Sequence, residues 1–188
     1  MTCSAVFLCD AAGSLHIDHA DSPTGPLSVY GVSKLAGENA IRAANGPHLI
    51  VRTSWVYAAK GANFLRTIAR LAKERKELRI VADQIGAPTS ARVIADAAAQ
   101  ILQSDVANLA SRFAESGGIV NIACAGETSW HGFATAIVTG LKSRGVKLEV
   151  ETIAPIGTKD FPTKAKRPGN SRSLAAQKCV RNHYPVLE

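Results

Sequence analysis

The fold is constrained most by a helix and a buried strand that follow each other between residues 28 and 56. Ser28 is suited to cap a helix that runs to about Ala44. Asn45-Gly-Pro47 then ends it, with Gly46 in the left-handed conformation. The run that begins at residues 49–51 is apolar and β-branched, which is typical of a buried parallel strand. We therefore expect an α/β fold.

Tyr30 and Lys34 form a candidate proton-transfer pair on this helix. They are four residues apart, so both side chains project from the same face, about one turn from each other. The lysine ammonium favours the phenolate form of the tyrosine. A general acid works best when its pKa lies near the working pH. From spacing alone, an aromatic stem packed beside a solvated lysine is the more common explanation.

Several further stretches carry a family resemblance. They are residues 22–38, 52–57 (Arg-Thr-Ser-Trp-Val-Tyr), 83–89 (Asp-Gln-Ile-Gly-Ala-Pro-Thr), 126–134 and 167–172. Together and in this order they resemble the dTDP-4-dehydrorhamnose reductases, members of the extended short-chain dehydrogenase/reductase superfamily. The resemblance runs from about Ser22 to the C-terminus.

The resemblance implies the C-terminal part of a Rossmann-type doubly wound parallel sheet, plus a small α/β substrate-binding subdomain. It describes residues 1–188 as a single incomplete reductase domain. Residues 1–21 are divergent, residues 22–60 hold the catalytic helix and its strand, and residues 61–188 are mainly substrate-binding. The implied reaction is reduction of a dTDP-4-dehydro-6-deoxy-L-mannose to dTDP-L-rhamnose by NADPH or NADH, and the resemblance also brings in Mg²⁺.

Two residues receive a catalytic and cofactor-binding role from the resemblance. Tyr30 would protonate the developing alkoxide, and Lys34 would hold the nicotinamide ribose. The family's third catalytic hydroxyl has no clear counterpart, with Thr2 and Ser4 as the nearest candidates.

Four residues are candidates for substrate binding: Trp55, Gln84 and Pro88 by the same resemblance, and Arg167 by the chemistry of its side chain. Trp55 would pack against the sugar, and Arg167, helped by Arg172, would hold the diphosphate. The alternatives are a core tryptophan, a structural turn at residues 83–89 and a solvated basic segment.

The sequence contains no Gly-x-x-Gly-x-x-Gly motif, which normally opens the cofactor-binding half. We therefore expect that this half is lacking and that reductase activity is impaired. A non-catalytic subunit that binds a nucleotide sugar is the alternative.

The remaining pattern predicts further elements in chain order. They are helices over 64–77, 91–103 and 128–144, strands over 78–82, 118–123 and 147–153, a short strand over 4–9 and a loop from Pro155. His131 is expected to be exposed on the opening turn of its helix.

Charge and composition limit which kinds of binding partner are expected. The net charge of +7 suits an anionic partner, but no nucleic-acid reading motif accompanies it. The four scattered cysteines suit reduced thiols, and no apolar run approaches the ~18 residues of a membrane span. We expect a cytoplasmic protein, with a homodimer as one arrangement. His16 and His19 lack further clustered ligands, so no metal site is assigned.

Overall fold

A computed structural model describes residues 3–4, 24–26, 28–103, 106–116 and 118–161. The helices are α1 (Val29–Ala43), α2 (Phe64–Glu74), α3 (Ala91–Gln103), α4 (Leu109–Ser116) and α5 (Trp130–Lys142). The strands are β1 (Cys3–Ser4), β2 (Leu49–Arg52), β3 (Val56–Tyr57), β4 (Glu77–Val81), β5 (Ile85–Gly86), β6 (Thr89–Ser90), β7 (Gly118–Asn121), β8 (Thr128–Ser129) and β9 (Thr152–Ile156).

The predicted buried strand is confirmed as β2, the middle strand of a parallel three-stranded sheet. Its neighbours are β1 and β7, and all four of its residues are buried. Leu49 and Val51 pack with Ile101 of α3 and with Ile122 just after β7. A strand covered in this way needs apolar residues throughout, which is why its sequence does not alternate.

The second core lies between helices α2 and α5 and the parallel pair β4–β9. Its fully or nearly buried members are Ile68, Ala72, Leu78, Ala134, Val138 and Val150. The prediction of a strand over 147–153 was wrong, since β9 begins only at Thr152. The backbone N–H groups of Glu149 and Val150 both donate to the Ala72 carbonyl at 3.0 Å, so a helix end holds this segment. Pro155 accordingly lies in β9 and not in a loop.

Helix α1 begins where its sequence predicted. The hydroxyl of Ser28 accepts a hydrogen bond from the Gly31 N–H at 3.1 Å. At the other end, Asn45 has the positive φ of 51°, and the predicted left-handed Gly46 was wrong. Asparagine adopts this conformation more readily than other side-chain-bearing residues, so the glycine is not required there.

Helix α2 ends three residues before the predicted end. Arg75 is extended at φ −131° and ψ 140°, and Glu77 pairs with Thr152 as the first residue of β4. Pairing with a strand that is distant in sequence therefore ends the helix, which periodicity cannot reveal. In the part of the chain that is described, no helix combines the length and apolarity that crossing a membrane requires.

Candidate active site

The structure brings Tyr30 and Lys34 together on the first turns of α1. The Lys34 Nζ atom lies 5.3 Å from the centroid of the Tyr30 ring. The tyrosine is 52% exposed, and its phenol is accessible to a ligand. The four-residue spacing produces this contact because such residues are neighbours on a helix surface.

A buried ion pair fixes α1 against β2. Glu38 of α1 is 1% exposed and Arg52 of β2 is 4% exposed. The Arg52 Nε donates to Glu38 Oε1 at 3.0 Å, and its Nη2 donates to Oε2 at 2.7 Å. Within the described residues, the Arg52 Nη1 and the Thr53 hydroxyl are buried without a hydrogen-bond partner. This two-point contact sets the position of the helix that carries Tyr30.

Trp55 interrupts the strand that the sequence analysis placed over residues 49–56. Its φ of 50° lies in the left-handed region, which costs a residue with a large side chain about 1–3 kcal/mol. Its carbonyl accepts a hydrogen bond from the Thr89 N–H at 3.1 Å. After this break, β3 pairs with β6, and β2 stays in the sheet with β7. The strain indicates that surrounding contacts impose the position of Trp55.

Trp130 is the residue of this site that the sequence analysis missed. Its ring is stacked on Trp55 with 3.5 Å between centroids and 5° between planes. Two signals were available: Trp130 lies in the 126–134 block that carries the resemblance, and the chain contains only two tryptophans. Their contact depends on tertiary pairing and was not readable from either block alone.

The 83–89 loop brings the two tryptophan segments together. Its strand β5 pairs antiparallel with β8, which directly precedes Trp130, while the adjoining β6 pairs parallel with β3, which directly follows Trp55. A Cβ added at Gly86 would lie 2.4 Å from Cε2 of Trp55. Only glycine allows the loop backbone to approach the indole this closely.

Gln84 and Pro88, the two candidates on this loop, have different surroundings. Gln84 is buried; its Oε1 accepts from Trp130 Nε1 at 3.1 Å, and its Nε2 donates to Thr158 Oγ1 at 3.1 Å. Both ends of its amide thus contact the protein. Pro88 is half-buried between β5 and β6.

Asp83 ties the start of the loop to the turn after β9. It accepts from the Thr158 hydroxyl at 2.6 Å and from the Thr158 N–H at 2.8 Å. These hydrogen bonds, that of the side chain first, hold the pKa of Asp83 below its ordinary value. The turn after β9 is thereby linked through Thr158 to Gln84 and to Trp130.

A cavity of about 750 Å³ opens beside Gln84 and Trp130. Its lining combines apolar side chains with two arginines, and comprises Phe64, Thr67, Ile68, Leu71, Arg75, Glu77, Leu78, Arg79, Ile80, Val81, Gln84, Trp130, Ile156, Asp160 and Phe161. Mainly apolar walls with a few polar groups, at this volume, are typical of small-molecule sites. Tyr30, Lys34 and Trp55 do not contribute to its lining.

His131 is half-buried and not exposed as the sequence analysis expected. Its Nε2 lies 3.0 Å from the carbonyl oxygen of Ile153. The residue therefore joins α5 to β9, and the error has the same source as the misplaced strand at residues 147–153.

Other candidate residues lie outside the described residues. These are Thr2, the side chain of Ser4, the His16 and His19 pair, Arg167 and Arg172. In the described ranges, no group of three or more His, Cys, Asp or Glu side chains could hold a metal ion. The Mg²⁺ implied by the resemblance is not supported.

Comparison with known proteins agrees with this arrangement. A family profile described as the RmlD substrate binding domain matches residues 3–185. A dTDP-4-dehydrorhamnose reductase of Burkholderia thailandensis is 50% identical over 151 residues, which are 79% of this chain and 50% of that protein. The chain spans about half the length of the curated relatives it matches.

Two solved structures show the same fold. A dTDP-4-dehydrorhamnose reductase from Clostridium acetobutylicum superimposes with a TM-score of 0.76 at 31% identity, covering 92% of this chain and 55% of that one. The Bacillus anthracis enzyme in complex with NADP gives 0.71 at 30% identity, covering 96% and 58%. The predicted α/β fold with Rossmann-type parallel strands is confirmed.

Proposed function

Because the chain belongs to the RmlD substrate binding domain family, we propose that it carries the proton donor and nucleotide-sugar site of a dTDP-4-dehydrorhamnose reductase. The reaction converts the C4 ketone of dTDP-4-dehydro-6-deoxy-L-mannose into the alcohol of dTDP-L-rhamnose. Carbon C4 gains a hydride and its oxygen gains a proton. The paired, accessible Tyr30 and Lys34 side chains are the observation that supports this proposal.

Tyr30 is the proton donor in this proposal. Its phenol donates the proton to the substrate O4 as negative charge develops there. The neighbouring Lys34 ammonium stabilises the phenolate that remains.

NADPH or NADH supplies the hydride when bound. Lys34 fits the role of holding its ribose hydroxyls, since no ion pair within the described residues occupies its ammonium. An ammonium that is free of a carboxylate can donate to two hydroxyls beside the phenol. The NADP complex of the related Bacillus anthracis structure supports the use of this cofactor.

The substrate side of the site combines Trp55, Pro88 and Arg167 with the cavity beside Gln84. Phe64 offers an aromatic wall for a base, and Arg75 and Arg79 offer guanidinium groups that suit phosphate oxygens. In this proposal residues 22–60 supply the catalytic helix and its strand, and residues 61–188 bind mainly the nucleotide sugar.

Replacing Tyr30 by phenylalanine tests the proton donor. In a protein that joins this chain to a cofactor-binding half, we expect turnover with NADPH and the 4-dehydro sugar to fall about 10²- to 10⁴-fold, since a general acid contributes this much. The loss of NADPH absorbance measures it. The matched control is Tyr57→Phe, because Tyr57 packs its ring against Phe133 at 5.3 Å and would keep that contact. An unchanged rate in Tyr30→Phe would refute the assignment.

A second function is favoured by one observation: the cavity and the tryptophan pair lie within this chain, whereas the sequence contains no glycine-rich cofactor motif. A non-catalytic nucleotide-sugar-binding subunit would bind dTDP-L-rhamnose without turning over its precursor. Calorimetric titration of the wild-type chain with dTDP-L-rhamnose, together with the turnover assay, distinguishes the two functions. A cytoplasmic location, a homodimer and the lack of a nucleic-acid partner stay predictions.

A further inference from the structure

Both faces of the Trp55 indole have a close neighbour. Trp130 lies parallel to one face with 3.5 Å between ring centroids, so nothing fits between the two rings. A Cβ at Gly86 would lie 2.4 Å from Cε2, 2.6 Å from Nε1 and 2.8 Å from Cζ2. Cε2 is shared by both rings of the indole, and Nε1 and Cζ2 are bonded to it. Because Cε2 is the nearest of the three, the added Cβ lies above the plane of the indole and not beyond its edge.

Gly86 and Trp130 stand on opposite faces. The two stacked rings are only 3.5 Å apart. If the added Cβ of Gly86 lay between them, 2.4 Å from Trp55, it would be nearer to the Trp130 ring than to Trp55. The three nearest atoms all belong to Trp55 instead. The loop backbone at Gly86 therefore lies against the second face over Cε2, Nε1 and Cζ2, so a ligand cannot stack on that part of the indole.

Trp130 is itself fixed from two further sides. The Phe64 ring packs against it at 4.5 Å between centroids, with the planes tilted by 48°. Its Nε1–H donates to the buried Gln84, which fixes the amide orientation: the amide oxygen accepts, so the nitrogen donates to Thr158. The Thr158 hydroxyl in turn donates its one proton to Asp83. The direction of each of these three hydrogen bonds is therefore defined.

We infer that Trp130 is a positioning residue for the sugar. It holds Trp55 between itself and Gly86, so that the edge of Trp55 meets the sugar of the substrate and no face stacks on it. The inference rests on the proposed function, because it needs a sugar nucleotide at this site. It adds that Trp130 controls discrimination between a dTDP-sugar and dTDP without contacting the reacting carbon.

Circular dichroism tests whether the stack persists on binding. The chain has two tryptophans, so a tryptophan–tryptophan exciton couplet in its spectrum comes only from this pair. We expect the couplet in the free chain and in the chain saturated with dTDP-L-rhamnose, and its loss in Trp130→Phe. Loss of the couplet on saturation would mean that the sugar enters between the rings, and would overturn the inference.

Calorimetry tests the effect on recognition. In Trp130→Leu we expect the ratio of affinities for dTDP-L-rhamnose and dTDP to fall about 3- to 10-fold, as for loss of an aromatic pair. In Trp130→Phe we expect a ratio between those of Trp130→Leu and wild type. This variant also provides the test if Trp130→Leu does not fold. Gly86→Ala should lower the same ratio with Trp130 intact, because the new Cβ displaces Trp55.

The outcomes separate this inference from the proposed function. If both affinities fall equally in the Trp130 variants, Trp130 is only a wall of the cavity and the inference is wrong, while the function stands. If the wild-type chain binds no dTDP-L-rhamnose, the proposed function fails and the inference fails with it.

Discussion

At the scale of single residues, two charged contacts of similar length differ in burial. Glu38 and Arg52 are almost fully buried, with an Oε2–Nη2 distance of 2.7 Å. Glu74 and Arg70 lie 2.6 Å apart on the exposed surface of α2. Removing one partner of a buried ion pair leaves the other charge buried without a counter-charge. At the surface, water solvates the charge that remains. The first contact therefore holds α1 in place, and the second contributes little.

Glu38→Gln should destabilise the protein by about 3–5 kcal/mol, because the Arg52 guanidinium would stay buried without its counter-charge. The free energy of unfolding in urea measures this. The matched control is Glu74→Gln, for which we expect about 1 kcal/mol or less. Equal effects of the two substitutions would contradict the structural role of the buried pair.

Asp83 gives a pH-dependent contribution at the same scale. Its pKa is lowered in the folded state by the Thr158 hydrogen bonds, so it contributes stability above the ordinary aspartate pKa of about 3.9. That contribution is lost as the pH falls through the lower folded value. We expect Asp83→Asn to be less stable than wild type at pH 7 and to approach it in acid. A stability difference that does not change from pH 7 to pH 2 would contradict this.

At the scale of elements, capping side chains decide where the helices begin. Ser28, Asn63 and Ser129 each accept a hydrogen bond from a backbone N–H of the first turn of their helix. The first two positions were readable from sequence because cap and first turn are adjacent in the chain. The third helix was predicted from residue 128, whereas α5 begins at Trp130 after the cap Ser129. The helix ends at Asn45 and Arg75 were less readable, since one depends on which residue turns left-handed and the other on a distant strand.

Ser28→Ala should destabilise the protein by about 0.5–2 kcal/mol, because the Gly31 N–H loses its acceptor. Thermal or urea unfolding measures the change. Ser33→Ala in the same helix is the control: Ser33 donates to the exposed Tyr30 carbonyl, and its loss should cost within about 0.5 kcal/mol. A larger effect at Ser33 than at Ser28 would argue against the cap.

At the scale of the whole molecule, sequence blocks that are far apart converge on one place. Residues 52–57, 83–89 and 126–134 meet through β3–β6 and β5–β8. The blocks themselves were recognisable in the sequence, as were β2 and the helices. Their two-residue strands were not, because such pairings have no periodicity of their own and form only through tertiary contacts. Trp130 was missed for the same reason.

The described residues leave Tyr30 and Trp55 in two groups. Tyr30 contacts Lys34, and Trp55 contacts Trp130 and Gly86. The proposed function requires both groups to meet one nucleotide sugar, with the edge of Trp55 at the sugar. A ligand that binds through both should therefore lose affinity when Trp55 is removed and keep it when only the Tyr30 hydroxyl is removed.

Calorimetric titration with dTDP-L-rhamnose tests this central claim most directly. The account predicts that the wild-type chain binds this ligand more tightly than dTDP, that Trp55→Leu abolishes that preference, and that Tyr30→Phe binds like wild type while losing turnover. A wild-type chain with no preference for the sugar nucleotide, or a preference that survives Trp55→Leu, would contradict it.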